Sequence, residues 1–310
     1  MLTAASGVPE GTGPTITPDE RAAFREAGCL IKHDFFSSDE VAAMQRHMQL
    51  IVDRDYFYDQ CEQPELGVHL QLHQLSECST LYRALPWAPQ CVGAVDALLG
   101  PSPAVIHLDQ SFIKPPHIGL GTAAHQDNHY FHVSEPLEGV AMWIAVDDAN
   151  VENGTMTVWP GTHKQPTLPH TRDDYSNHLM SCAAQLDTAA AVPCCTKAGG
   201  VVFFCYGVAH ATHRNRSAAP RAGVAYHFLS ATPENMADGF EHAQTWQERL
   251  LNGADCDGGL VRYGEDLRGS WPSEVSAALA GSELAPSETF MMNQERNRAR
   301  MRNSTATAKL

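Results

Sequence analysis

The chain has 310 residues, of which 43% are hydrophobic and 18% charged, and its formal net charge at pH 7 is −15. No stretch approaches the roughly 18 consecutive apolar residues that a membrane-spanning helix requires. The acidic balance argues against nonspecific nucleic-acid binding or a general membrane-surface role, because both need a basic face.

The N-terminal third of the chain is predicted to be mainly helical. Residues 1–16 are rich in Gly, Pro, Ser and Thr, and we expect them to be disordered. Capping patterns at Thr17 and Ser37 predict two helices, with a short strand over residues 29–33 between them. A further amphipathic helix is predicted over residues 86–100, with its apolar side buried.

Residues 67–75 form an alternating segment that places polar side chains on one face. His69, Gln71 and His73 share that face, because successive side chains of an extended chain alternate. The segment either lies at the surface or lines a pocket. A row of His and Gln is unusual on a plain solvent-exposed face, and for that reason the pocket stands as an alternative to the surface.

From residue 103 onward the pattern changes to short strands separated by turns, which is typical of an all-β sandwich or barrel. Strands are predicted over residues 105–114, 140–146, 155–159, 201–206 and 222–228. Residues 164–193 interrupt this series with a long polar segment, the kind of loop that covers an active site or determines specificity. We expect one domain over residues 1–310, with residues 232–310 forming a helical or irregular C-terminal extension.

His125 and Asp127 are the first candidate metal ligands. In an extended segment two residues one apart point to the same face, so one strand edge can offer an imidazole and a carboxylate to an ion. These are two thirds of a two-histidine, one-carboxylate triad, which holds non-haem Fe(II) and leaves coordination positions open. A His-x-Asp sequence alone is weak evidence. The third ligand has to come from elsewhere in the chain.

His210 and Arg221 complete the pattern. His210 follows the apolar run over residues 201–206 after a short link, and Arg221 begins the last strand after a turn. A guanidinium group there can bind the distal carboxylate of an α-keto acid whose other end chelates the metal. The combination of His-x-Asp, a later His and then an Arg is much more specific than any single part.

Four sequence blocks carry a family resemblance. They are Ile113-Lys114-Pro115-Pro116, the run from His125 to Phe131, Glu152-Asn153-Gly154 with Pro160-Gly161-Thr162-His163-Lys164, and the stretch from His210 through Asn215-Arg216-Ser217 to Arg221. In order and spacing, these blocks within residues 17–230 resemble the phytanoyl-CoA dioxygenase family of Fe(II)/2-oxoglutarate-dependent oxygenases. The resemblance implies a mainly β fold with a double-stranded β-helix core (jelly-roll, cupin-like) flanked by α-helices.

The resemblance also implies roles for individual residues. The implied iron ligands are His125, Asp127 and His210. Arg221 would hold the far carboxylate of 2-oxoglutarate, helped by the hydroxyl of Thr212. His213 is a rival ligand, but its spacing to Arg221 does not match, and it would face away from Thr212 in an extended segment. No catalytic residue is expected beyond the metal centre.

Further residues are candidates to line the site. Trp143 and Gln110 fall at positions that line the co-substrate, although Trp143 is equally explained as a core residue. Candidates to border the substrate are His73, Lys114, His129, Tyr130 and His227. For His129, Tyr130 and His227 the alternative is a hydrogen-bonded residue of the barrel.

The implied cofactors are Fe(II), 2-oxoglutarate and O₂, with ascorbate as a candidate reductant. Such a centre oxidises an unactivated C–H bond while 2-oxoglutarate is converted to succinate and CO₂. Related halogenating enzymes lack the carboxylate ligand, which makes room for chloride. The presence of Asp127 therefore favours hydroxylation or desaturation.

Three alternatives remain for the activity and its substrate. The preferred one is hydroxylation of a fatty acyl-CoA, in particular a branched one, at C2. A charge of −15 does not suit a polyanionic CoA ester, although four cations could form a local basic rim: Lys114, Lys164, Arg214 and Arg216. The second alternative is the same chemistry on an osmolyte, phosphonate or secondary metabolite. The third is a noncatalytic protein that binds metal or 2-oxoglutarate, which the intact triad and Arg221 speak against.

Cysteine usage and the C-terminus bear on location. The nine cysteines are an odd number without a repeated Cys-x-x-Cys, and the N-terminus is not signal-like, so we expect free thiols in a reducing interior. Ala308-Lys309-Leu310 is a conservative variant of the Ser-Lys-Leu peroxisomal address. We therefore expect import into the peroxisome through its receptor, with a cytoplasmic location as the alternative.

Overall fold

The computed structural model describes residues 7–61, 63, 65–172, 180–237 and 247–307. The tripeptide Ala308-Lys309-Leu310 lies outside the described residues, so its use as an address stays a prediction. Within the described part, no helix combines the length and apolar character that crossing a bilayer requires.

The elements alternate between short helices and strands in the N-terminal part and are mainly strands from β5 to β14. The strands are β1 (Glu10–Thr12), β2 (Cys29–His33), β3 (Tyr58–Asp59), β4 (Leu70–His73), β5 (Ala104–Lys114), β6 (Thr122–His125), β7 (Gly139–Ala145), β8 (Met156–Trp159), β9 (Thr171–Arg172), β10 (Met180–Ser181), β11 (Val192–Pro193), β12 (Val201–Cys205), β13 (Ala209–Thr212) and β14 (Arg221–Ser230). The helices are α1 (Pro18–Ala27), α2 (Ser38–Asp53), α3 (Leu75–Cys78), α4 (Thr80–Ala84), α5 (Pro89–Leu99), α6 (Asn128–Phe131), α7 (Pro233–Ala237), α8 (Leu260–Tyr263), α9 (Trp271–Leu279) and α10 (Glu288–Thr307).

Two sheets form the core of the molecule. The larger has the strand order β1-β2-β12-β7-β14-β5-β4-β3, and the smaller has the order β11-β8-β13-β6. Neighbouring strands are antiparallel except for β1 and β2, which are parallel. Side chains from both sheets line one cavity, which places the cavity between them. The predicted mainly β, jelly-roll core flanked by helices is confirmed.

Helices cover the outer face of the larger sheet. Strands β7, β12 and β14 are buried along their whole length, which explains their nearly continuous apolar sequences. Helix α5 packs against β5, β7 and β14, and helix α2 packs against α9. Met44 and Met48 of α2 are buried in this layer, as expected of residues at helical spacing.

Both predicted helix starts are confirmed by their caps. The side chain of Thr17 accepts a hydrogen bond from the backbone N–H of Glu20, and the Glu20 carboxylate accepts from the N–H of Thr17. Ser37 and Glu40 make the same reciprocal pair at the start of α2. Each capping box satisfies two backbone donors that a helix start leaves unpaired.

The prediction of disorder for residues 1–16 is wrong from residue 7 onward, where the description begins. Strand β1 pairs with β2 along the edge of the larger sheet. Lys32 of β2 is fully buried, and its ammonium donates to the Thr12 carbonyl at 3.0 Å and to the Glu20 carboxylate at 2.6 Å. A buried cation needs such acceptors, so Lys32 fixes the segment in place despite its Gly- and Pro-rich composition.

Candidate metal centre and co-substrate pocket

Strands β6 and β13 bring the two candidate histidines together. His125 is the last residue of β6 and lies opposite His210 of β13, with the ring centroids 4.2 Å apart. Directly opposed residues of an antiparallel pair are close neighbours on one face. The register of the smaller sheet therefore fixes the distance between the two imidazoles, although they are far apart in sequence.

Asp127 reaches the histidines by a route that the sequence did not predict. Strand β6 ends at His125, and Asp127 has helical backbone angles (φ −56°, ψ −34°) immediately before α6. Its Oδ1 lies 3.6 Å from His125 Nε2 and 3.7 Å from His210 Nε2. The prediction that strand alternation aligns His125 with Asp127 is wrong, because the chain turns into a helix after the strand ends. That turn brings the carboxylate to the imidazoles instead.

One donor atom from each of these three side chains fits a single ion. The three atoms lie within 4.8 Å of one another, and all three side chains are buried. Both histidines donate from Nδ1 to a carbonyl two residues earlier, that of Ala123 at 2.8 Å and that of Val208 at 3.0 Å. With the proton on Nδ1, the lone pair of each Nε2 faces Asp127. Two imidazoles and one carboxylate suit Fe(II) and leave open coordination positions.

The protonation states of this triad also suit a metal. Burial and the neighbouring His125 lower the pKa of His210 to about 4, so its imidazole is neutral at pH 7. Burial alone would raise the pKa of the Asp127 carboxyl, but His210, His125 and His227 outweigh it and hold that pKa well below its usual value. Metal ligands bind in their deprotonated forms. For His210 and Asp127, those forms are the ones present at neutral pH.

A cavity of about 310 Å³ extends from the triad between the two sheets. The other predicted residues that line it are Gln110, Trp143, Thr212, Arg221, His73, Lys114, Tyr130 and His227. The polar face of the segment over residues 67–75 lines it as well, through His69, Gln71 and His73. Of the two alternatives for that face, the structure shows the pocket.

Arg221 is a buried cation at one end of this cavity. Its side chain is 1% exposed, and one terminal N–H donates to the Gly154 carbonyl at 2.8 Å. The guanidinium carbon lies 5.4 Å from the centre of the Trp143 ring, and Nε has no hydrogen-bond partner among the described residues. Burial lowers the pKa of Arg221 to about 10, with Asp147 opposing the shift, so the group is charged at pH 7. None of the ion pairs between described residues satisfies this charge.

Lys114 lies beside Arg221 and not on an outer rim. The two residues are direct partners across β5 and β14, and the Lys114 side chain is buried. Its ammonium donates to the Thr212 hydroxyl at 2.7 Å and to the carbonyl of His213. Burial and the neighbouring Arg221 lower the pKa of Lys114 well below its ordinary value. We call Arg221, Lys114 and Thr212 the cationic end of the pocket. The sequence predicted Arg221 and Thr212 as 2-oxoglutarate-binding residues, whereas it predicted Lys114 at the border of the substrate.

Trp143 and Gln110 occupy different parts of the pocket wall. Trp143 packs under Arg221, and a Cβ on Gly223 would lie 2.5 Å from the indole, so only glycine leaves room for this packing. Gln110 accepts a hydrogen bond from the side-chain amide of Gln71 at 2.8 Å. These two side chains form a neutral polar part of the pocket wall, and the sequence did not predict their contact.

His129 is placed differently from the prediction. It is not among the residues that line the cavity, because α6 turns it away from the triad. Its ring stacks on His170 of the polar insertion over residues 164–193, with centroids 4.0 Å apart and an interplanar angle of 9°. The backbone N–H of Gln126 donates to His170 Nε2 at 3.1 Å. His170, which the sequence did not single out, therefore packs against the segment that carries His125 and Asp127.

The predicted basic rim is not assembled. Lys114 lies inside the pocket, as described above, and Lys164 forms an ion pair with Glu26 at the surface. Arg214 donates to the carbonyl of Leu66. Only Arg214 and Arg216 remain as neighbouring exposed cations of the proposed set.

Comparison with known proteins agrees with this geometry. A family model described as phytanoyl-CoA dioxygenase (PhyH) matches residues 24–223, which is more than half of the chain. The fold, the buried triad and this match together define an Fe(II)/2-oxoglutarate-dependent dioxygenase. The chain belongs to the phytanoyl-CoA dioxygenase family, as the sequence blocks predicted.

Individual relatives are distant but cover most of the chain. Phytanoyl-CoA dioxygenase 1 of Oryza sativa subsp. japonica is 25% identical over 273 residues, covering 75% of this chain and 94% of that protein. The peroxisomal phytanoyl-CoA dioxygenase of Bos taurus is 26% identical over 232 residues, covering 69% of this chain and 68% of that protein. The crystal structure of EvdO2 from Micromonospora carbonacea var. aurantiaca complexed with 2-oxoglutarate is similar with a TM-score of 0.55 and 25% identity, covering 75% and 97% of the two chains.

Proposed function

We propose that this enzyme hydroxylates an unactivated C–H bond, with His125, Asp127 and His210 holding iron and the cationic end of the pocket holding 2-oxoglutarate. The observation that carries the proposal is the position of Arg221. It is a fully buried cation in the same cavity as the triad, and within the described part of the chain its Nε lacks a hydrogen-bond partner. A dicarboxylate that reaches from the metal to Arg221 would supply the missing anion.

The cationic end has the donors that a carboxylate needs. The guanidinium fork of Arg221 can donate two parallel hydrogen bonds to one carboxylate, and Nζ of Lys114 adds a second donor beside it. A buried guanidinium without a paired anion is costly, because its charge leaves water without compensation. Binding of a dianion removes that cost, so the apo pocket is preorganised for such a ligand.

The chain's own residues bind and orient, and the cofactors supply the oxidation. Bound Fe(II) with 2-oxoglutarate and O₂ supplies oxidation of a C–H bond coupled to formation of succinate and CO₂. The Nδ1 hydrogen bonds of His125 and His210 fix the direction of both ligand nitrogens. Trp143 and Phe204 are buried aromatic side chains that line the cavity. The carboxylate of Asp127 occupies the position that chloride would need, which favours hydroxylation.

Our preferred substrate is a fatty acyl-CoA, hydroxylated at C2. Apolar side chains line much of the cavity, including Leu70, Leu108 and Phe131, and the Oryza sativa and Bos taurus relatives carry phytanoyl-CoA dioxygenase in their names. A volume of about 310 Å³ is at the lower end for ligand pockets. An acyl chain would therefore enter, while the nucleotide part would stay outside, near the exposed Arg214 and Arg216.

One observation favours the same chemistry on a different small molecule. Two of the four cations expected to bind the CoA phosphates are used elsewhere, Lys114 in the pocket and Lys164 with Glu26. The neutral Gln71 and Gln110 pair would instead suit a compact substrate with hydrogen-bonding groups, such as an osmolyte or secondary metabolite. The peroxisomal location, which the name of the Bos taurus relative supports, belongs with the acyl-CoA alternative.

A turnover screen separates these substrates. We expect iron- and 2-oxoglutarate-dependent succinate release to rise with a branched acyl-CoA, and the matching free acid to give less stimulation. The same assay with osmolytes, phosphonates and secondary metabolites is the comparison set. Failure of every CoA ester to stimulate succinate release would remove the acyl-CoA proposal and leave the small-molecule alternative.

Replacing Lys114 with methionine is expected to weaken 2-oxoglutarate binding about tenfold, because one charge-assisted hydrogen bond to the far carboxylate is lost. The measurement is the rise in melting temperature on adding 2-oxoglutarate with a divalent metal, which reports binding through linkage. Lys164→Met is the matched control, since Lys164 is exposed and paired with Glu26. Equal 2-oxoglutarate stabilisation in Lys114→Met and wild type would remove Lys114 from the co-substrate site.

A further inference from the structure

The two oxygens of the Asp127 carboxylate have different surroundings. Oδ1 faces Nε2 of both candidate ligand histidines, at 3.6 and 3.7 Å. Oδ2 lies 3.2 Å from Nε2 of His227. The two oxygens therefore have different partners: Oδ1 faces the metal position, and Oδ2 contacts His227.

His227 is aimed into the site by its strand. Arg221, Ala225 and His227 lie on the same face of β14, at a spacing of two or four residues, and all three line the cavity. The pairing of β14 with β5 shifts register between His227 and Phe228. Such an irregularity bends a strand locally and re-aims a side chain. One strand thus presents both the co-substrate cation and the partner of Asp127.

The surroundings of His227 fix which nitrogen donates. The side chain is 3% exposed, and its ring packs against those of Phe131 and Tyr206, with centroids 5.8 and 6.0 Å away. Its Nδ1 is buried and has no hydrogen-bond partner in the part of the chain that the structure describes. A proton placed on Nδ1 would be unpaired and would leave Nε2 as a lone pair against an ionised carboxylate. The arrangement is satisfied when Nε2 carries the proton and donates to Asp127 Oδ2.

We propose that His227 is a positioning residue that keeps Asp127 a one-oxygen ligand by holding Oδ2 away from the metal. This inference rests on the proposed function, because it assumes that Asp127 binds the metal. A carboxylate that is free to rotate can bind through both oxygens and occupy a position that the co-substrate or O₂ needs. Outer hydrogen-bond partners of ligands typically change metal affinity or activity by 10- to 100-fold.

The test uses Co(II) alone as the metal, so that it does not depend on turnover. His227→Gln keeps an N–H donor, whereas His227→Met has a similar length and flexible packing but cannot donate. We expect Co(II) affinity to fall about 10- to 100-fold in His227→Met and to stay within about threefold of wild type in His227→Gln. The visible Co(II) spectrum, which reports coordination number, should change in His227→Met only.

His107→Met is the matched control. His107 belongs to the same aromatic cluster, with its ring 4.4 Å from that of Phe131, and its Nδ1 lies 3.2 Å from the Tyr206 hydroxyl. This control should leave the Co(II) spectrum unchanged. Melting curves check folding, and His227→Leu replaces the methionine variant in the comparison should that variant unfold.

The outcomes separate the inference from the proposed function. If wild type binds no Co(II), the metal centre itself is wrong. If wild type binds Co(II) and the glutamine and methionine variants give the same affinity and spectrum, the positioning role of His227 is overturned. Loss in the methionine variant with rescue by glutamine supports it.

Discussion

Replacing Arg221 with methionine is expected to weaken 2-oxoglutarate binding by more than about 100-fold and to remove 2-oxoglutarate-dependent turnover. Truncating one partner of a buried, hydrogen-bonded charge pair costs about 2 to 5 kcal/mol, and 1.4 kcal/mol is tenfold in affinity. Arg221 is 1% exposed, so water cannot replace its hydrogen bonds to the ligand. Titration of 2-oxoglutarate into the metal-loaded protein measures the loss.

Arg216→Met is the control for this substitution. Arg216 lies five residues earlier and is exposed, so its removal changes the charge by the same amount without touching the cationic end of the pocket. We expect its 2-oxoglutarate affinity to match that of wild type within about twofold, since surface charges contribute little. An Arg221→Met protein that bound 2-oxoglutarate as tightly as Arg216→Met would contradict the proposed co-substrate site.

Replacing His210 with alanine is expected to remove iron binding, with a larger effect than any His227 substitution. The change deletes a ligand, whereas loss of an outer hydrogen-bond partner costs about 10- to 100-fold. Direct measurement of Fe(II) bound under anaerobic conditions checks this expectation. His213→Ala is the matched control, because His213 is exposed and its side chain lies outside the cavity lining. Equal iron binding by His210→Ala and wild type would exclude His210 as a ligand.

The sequence predicted the parts of this site that depend on residue type and spacing. His125, Asp127, His210 and Arg221 all come together around one cavity, as the pattern indicated. The strand that begins at Arg221 was also predicted, because this buried strand has a long apolar run. The capping residues Thr17 and Ser37 marked helix starts for an equally local reason. Local capping signals and a specific multi-residue pattern can both be recognised from the sequence alone.

The sequence did not predict features that depend on where strands meet. Lys114 appeared as a rim cation, and only its pairing with Arg221 across two strands places it in the pocket. His227 appeared as a possible neighbour of the substrate, and its contact with Asp127 joins β14 to the segment that follows β6. The backbone turn at Asp127 replaced the expected strand alternation. The two contacts between strands require a long-range register that residue periodicity does not contain.

Order in the N-terminal segment was missed for a related reason. Gly- and Pro-rich composition is typical of disorder, because such a segment has few apolar side chains to bury. The decisive interaction is instead the burial of Lys32, whose ammonium finds its acceptors in that segment and in Glu20. A lysine inside an apolar strand is the only local sign of this requirement.

The central claim is that His125, Asp127 and His210 hold iron beside a 2-oxoglutarate site. The most direct measurement is the visible absorption of the wild-type protein with Fe(II) and 2-oxoglutarate under anaerobic conditions, with His125→Ala as the blank. We expect a weak visible band in wild type that requires both additions and is absent in His125→Ala. Absence of that band in folded wild-type protein, or its persistence in His125→Ala, would contradict the account.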